Sequence, residues 1–130
     1  MDFHANAPAA AYAAICAGSD DAKLFWEMHD WLFQNQGVWQ DAQDAATIFR
    51  TQAVALGADE AKYDACIADP KTKAQVDRDL QDGAALGVRG TPAFFIYKMT
   101  NGQPVGDPKP LSGALPFAQF SQVLDEALAQ

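Results

Sequence analysis

The sequence predicts a mixed α/β chain in which about five helices over residues 6–87 precede a β-hairpin and a closing helix over residues 88–130. Three observations carry that reading. The first block is rich in alanine, and its apolar residues recur at helical spacing between clear stops. The second block concentrates glycine, proline and aromatic residues around "AFFIY" at 93–97, a continuous apolar run of strand length. Beyond it, Pro116 opens a segment whose Phe117, Phe120, Leu124 and Leu128 form one helical stripe.

Taken in order, residues 1–5 read as the stub of a strand, because "MDFH" starts extended and leads to a helix start. Asn6 is placed to cap the first helix, which tolerates Pro8 in its first turn and runs through Tyr12, Ile15 and Cys16 to Gly18. In "AKLFWEMHDWLFQNQ", Leu24, Phe25, Met28, Trp31 and Leu32 make a helical stripe that Trp26, His29 and Phe33 widen. Only Lys23, Glu27, Asp30 and Gln34 remain as a wet face, so this helix is expected to pack on more than one side. A third helix is expected over 41–56. Asp41 and Asp44 lie near its positive end, Ala45, Ile48, Phe49, Ala53 and Leu56 face inward, and Gly57 stops it. A short fourth, 59–68, presents Tyr63, Cys66 and Ile67. The fifth opens on Asp69 as cap and Pro70 as first helical residue, buries Val76, Leu80 and Ala84, and ends at Gly87.

In the second block, the run at 93–97 lacks alternation, the pattern of a strand covered on both faces. Asn101-Gly102 signals a tight turn, and an extended piece near residues 110–112 can return antiparallel. A lone two-stranded hairpin is marginal, and no other segment supplies a central strand, so further strands are expected upstream or from another chain.

Bulk properties narrow the function. At 130 residues the chain is about one domain, long enough for a real core. A net charge of -8 argues against nucleic acid and anionic membranes, whose phosphates would be repelled. No run of 18 strongly apolar residues offers a membrane span, and no charged start with an apolar h-region marks a signal peptide. A cytosolic or already processed chain is therefore expected. His4 and His29 lack metal-ligand spacing, and His29 stands four residues from both Phe25 and Phe33, so a half-buried histidine is expected and no metal. Asp20-Asp21 and Asp59-Glu60 sit at helix starts as caps and dipole complements.

The order "FHANAPAAAYAAICAG", "KLFWEMHDWLFQNQGVW", "ALGADEAKYDACIAD" and "LGVRGTPAFFI" before a last helix resembles the DsbA-like thiol-disulfide oxidoreductases, from Phe3 to Leu128. These are thioredoxin folds with an inserted helical domain. The resemblance implies a helical insertion domain at 6–87 and the C-terminal ββα half of a thioredoxin-like domain at 88–130. It implies that the Thr91-Pro92 peptide is cis, that Pro92 heads a central strand, and that Gly90, Thr91 and Pro92 form a wall on which an extended substrate polypeptide pairs. It also implies a periplasmic or extracytoplasmic setting, reduced or unfolded polypeptides as partners, and no cofactor.

One element of the family pattern is missing. Catalysis there uses Cys-X-X-Cys at a helix N-terminus, where exposed amides lower a thiol pKa. Cys16 and Cys66 do not have that spacing, so the chain alone is expected to be inactive in thiol-disulfide exchange, with the dithiol segment upstream of Met1. By the same resemblance Cys16 and Cys66 form a structural disulfide; the alternative is two buried free thiols. Two other functions compete: a relative of the kappa-class glutathione transferases and hydroxychromene carboxylate isomerases, or a non-catalytic interaction module that oligomerises through exposed strand edges.

Overall fold

The computed structural model describes residues 4–129. Among these, seven helices and two strands follow in the order α1 (Ala7–Ala17), α2 (Ala22–Gln34), α3 (Gln36–Trp39), α4 (Ala45–Leu56), α5 (Glu60–Ala68), α6 (Pro70–Ala85), β1 (Ala93–Thr100), β2 (Gln103–Ser112) and α7 (Phe117–Leu128). The mixed α/β class stands, with one element added: the single turn α3. The chain divides into two compact units, up to residue 81 and from residue 82, the division falling in the last turn of α6. The strand stub expected at 1–5 has its first three residues outside the described part. His4 accepts a backbone bond from Ala7 (3.0 Å) in the turn that leads into α1.

The first unit is built around a small-residue helix. Ala10, Ala13, Ala14 and Ala17 of α1 are buried, which lets neighbouring helices approach its backbone closely. Against them sit Met28 and Leu32 of α2, Phe49 and Ala53 of α4, and Tyr63 of α5. Each large apolar side chain so buried contributes about 2–3 kcal/mol by removal from water. Close approach is most severe at Gly18, where an added Cβ would meet the Phe25 Cβ at 2.5 Å. Trp39 of α3 stacks edge-on against Phe49 (5.5 Å between rings), and its indole Nε1 donates to the Leu32 carbonyl at 2.9 Å.

Helix ends follow local chemistry at most positions. Asp21, Asp44 and Asp59 accept from the backbone N–H of Lys23, Thr47 and Lys62. Gly57 adopts φ +109°, the left-handed conformation that ends α4 at little cost for glycine. Asn6 departs from expectation. It makes no side-chain cap; its amide instead donates to the carbonyls of Trp39 (2.9 Å), Gln40 (3.1 Å) and Ala42 (2.9 Å). The loop after α3 thus takes the donors that a cap position would have left facing water. That loop also delays the third long helix, which begins at Ala45 rather than Asp41.

Two burial expectations are corrected. α2 packs with Met28 and Leu32, whereas Trp26 (61 %) and Phe33 (66 %) stay exposed on the flank. There the aromatic rings cover one another: His29 lies 4.9 Å from Phe33 and 5.5 Å from Trp26. In α6 Val76 is buried, but Leu80 and Ala84 are exposed, because only the first two turns lie against the unit's core.

In the second unit β1 and β2 pair antiparallel, from Ala93↔Ser112 to Thr100↔Gln103. The Asn101-Gly102 turn has positive φ at both residues (52° and 76°), as a two-residue hairpin demands. The second strand is longer than the expected piece at 110–112, and a register shift between Ile96 and Lys98 lets it carry Gly106 (φ +74°). α7 lies on β1 through Phe94 and Phe120, 4.9 Å apart and edge-on. No described residue of this unit is buried, so the two-sided cover expected for "AFFIY" is not supplied within it, and the stripe of α7 has no buried member. A two-stranded hairpin with one helix has too little area to cover both faces.

Candidate functional site

Residues 86–92 connect α6 to β1. Gly87 takes φ +79° and receives the helix end, its N–H bonding the Ala84 carbonyl at 3.0 Å. The chain then passes through exposed Arg89, Gly90 and Thr91 to Pro92. The Thr91–Pro92 peptide is cis. Pro92 stands one residue before β1, so its missing N–H costs the ladder nothing, while its carbonyl accepts from Gly113 N–H at 2.8 Å. That bond pins the loop's end to the far end of β2. Among the described residues no backbone hydrogen bond within the chain engages Thr91. Thr91 therefore presents an unpaired N–H and C=O at the head of a strand, the groups an incoming extended peptide needs. An added Cβ at Gly90 would meet nothing within 4 Å.

Cys16 of α1 and Cys66 of α5 are joined in a disulfide across 50 residues, with Cα atoms 5.5 Å apart. Cys16 is buried and Cys66 partly so. Both cysteines of the sequence are thereby used, and neither is a free thiol. Sequence reasoning missed the residue that completes this cluster. Thr72, in the first turn of α6, is buried; its hydroxyl donates to the Cys66 carbonyl at 2.7 Å and lies 3.5 Å from the Cys66 Sγ.

The other titratable groups are structural. Arg50 donates through Nε and Nη2 to both carboxylate oxygens of Asp64 (2.6 and 2.7 Å) and also pairs with Glu60 (2.6 Å). Those bonds raise the Arg50 pKa and hold the Asp64 carboxyl below its usual range. All three side chains are exposed, so the pairs contribute little. Burial, with Asp64 nearby, pushes the Tyr63 phenol up to about 12. His29 is half-buried and its Nδ1 lies 3.0 Å from the Asp30 carboxylate. Among the described residues no cluster of His, Cys, Asp and Glu could hold a metal ion. An apolar groove of about 630 Å³ runs in the first unit between α1, the aromatic flank of α2 and the Val76–Leu80 face of α6.

The family model described as DSBA-like thioredoxin domain matches residues 1–125. The chain belongs to the DsbA-like family of thiol-disulfide oxidoreductase-like proteins. Within that family the helices of the first unit and the hairpin and helix of the second are consistent with the C-terminal portion of the fold. The Na(+)/H(+) antiporter NhaA 1 of Salinispora arenicola is 38% identical over 96 residues, 73% of this chain and 14% of that protein. The chain thus spans about a seventh of the curated relative's length. No solved structure matches. No helix of the described residues is long and apolar enough to cross a membrane.

Proposed function

We propose that the chain is the substrate-facing part of a protein thiol-disulfide oxidoreductase, in which Gly90, Thr91 and Pro92 form the wall against which an extended, reduced polypeptide lies. The observation that carries the reading is Thr91, exposed and without a backbone partner within the chain at the head of β1. The reactive dithiol belongs to a segment outside these 130 residues. Both cysteines here are consumed in one disulfide, and a closed disulfide offers no thiolate for attack. The likeness to 14% of an antiporter supports a place for the chain within a longer polypeptide. The family's extracytoplasmic habit supports a setting for that polypeptide outside the cytoplasm, where disulfides persist.

Titration of the isotope-labelled chain with an extended peptide bearing one reduced cysteine tests the wall. Amide shifts concentrated at Arg89, Gly90, Thr91 and Ala93 are expected at millimolar peptide. Shifts confined to α1–α6, or none at that concentration, would overturn the assignment.

A further inference from the structure

α6 is a polar helix held at one end. Of its 16 residues only Thr72 and Val76 are buried. Beside the Tyr63 phenol and the Trp39 indole, Thr72 carries the remaining buried polar side chain among the described residues, and it sits on the disulfide, 3.5 Å from Cys66 Sγ and 4.0 Å from Cys16 Sγ. A single residue, Asp69, separates α6 from α5; its carboxylate accepts from Lys71 N–H at 2.9 Å and fixes the direction in which α6 leaves. The attachment of α6 to the rest of the unit therefore runs through Val76 and one junction of two sulfurs and a hydroxyl.

We infer that the Cys16–Cys66 disulfide and Thr72 form a redox-sensitive latch, which docks the first two turns of α6 on α1 and α5 when oxidised and releases them when reduced. The reductant is a dithiol. Its thiolate attacks one sulfur, the Cys16–Cys66 bond breaks, and a mixed disulfide forms. The second thiol of the reductant then closes its own disulfide, leaving Cys16 and Cys66 as two thiols after a transfer of two electrons and two protons.

Two thiols need van der Waals separation and room for two hydrogens that a bonded pair does not. Cys16 is 1% exposed and Thr72 7%, so the junction has no slack. One of the three helices has to give. α1 buries five residues and α5 keeps Tyr63 in the core, whereas α6 has only Thr72 and Val76, so α6 yields. The released turns include Val76 and carry Asp79 and Leu80 of the next turn with them, one wall of the apolar groove, and reduction thereby reshapes that groove. The latch does not depend on the oxidoreductase reading.

Because docking and disulfide formation favour each other, the coupling is reciprocal. Thr72→Val keeps the volume and removes the hydroxyl. Loss of that hydrogen bond is expected to shift the dithiothreitol redox equilibrium toward the dithiol by about tenfold. In the oxidised protein the substitution speeds hydrogen exchange of α6 amides 73–80 by about tenfold and leaves α4 amides unchanged. In the reduced protein the same substitution changes α6 exchange by less than about twofold, since the contact is already lost. Thr72→Ser restores the wild-type redox equilibrium. An unchanged redox equilibrium for Thr72→Val, or an equal effect on α6 exchange in both redox states, would overturn the latch. Wild-type α6 exchange that is the same oxidised and reduced would do so without any variant.

Discussion

The two units of the chain solve the problem of burial in opposite ways. The helical unit encloses Phe49 and Met28 almost completely and closes a covalent loop between Cys16 and Cys66. The hairpin unit has comparable apolar content but buries none of its described residues: Phe117 is 79% exposed, Leu128 81%, and the strand residue Phe94 39%. Apolar composition alone therefore does not make a core. Helices can interlock through small residues such as Ala13 and Gly18, whereas two strands and one helix leave faces open that a further layer would have to cover.

The comparison breaks most easily at Phe49. Phe49→Ala is expected to cost about 3–5 kcal/mol in a urea unfolding curve, while Phe94→Ala in β1 costs about 1 kcal/mol or less. Equal costs would mean that the hairpin has a core of its own. Next in size is the staple. Replacing both Cys16 and Cys66 by alanine lowers stability by about 3–4 kcal/mol on the chain-entropy account of a loop this long, read as a fall in melting temperature. No change in melting temperature would show that helix packing alone sets the first unit's stability. Asn6→Ala strands the carbonyls of the α3–α4 loop and is expected to cost about 2 kcal/mol, with exchange rising first at residues 36–42.

The smallest effect concerns pH. The folded state keeps the Tyr63 proton up to about 12, against an ordinary value of 10.0. The neutral phenol therefore favours folding fully below pH 10, and that contribution is lost as pH rises toward 12. The urea midpoint of the wild type should fall more steeply over this window than that of Tyr63→Phe. Parallel pH profiles would contradict the burial of the phenol.

Local chemistry made much of the fold legible. The caps Asp21, Asp59 and Asp69, the stop at Gly57 and the turn at Asn101-Gly102 each act through the backbone within a few residues, so their signals survive in sequence. Asn6 reads as a cap by the same logic, yet its amide is taken by carbonyls more than thirty residues away. No local rule reveals that. Thr72 looks like an ordinary first-turn residue of a helix until the tertiary fold sets it on the disulfide. The overestimated burial of Trp26, Phe33 and Leu80 has one cause: periodicity shows which residues share a face, not whether anything covers it. At the site, Thr91-Pro92 was conspicuous as a dipeptide before an apolar run. The family resemblance, rather than spacing, suggested the pairing of Cys16 with Cys66.

The central claim is that this chain holds the substrate wall of an oxidoreductase and not its reactive dithiol. The most direct measurement is reduction of insulin by dithiothreitol with the 130-residue chain added. The account predicts a rate equal to that of a dithiol-free control protein; turnover clearly above that control would contradict it.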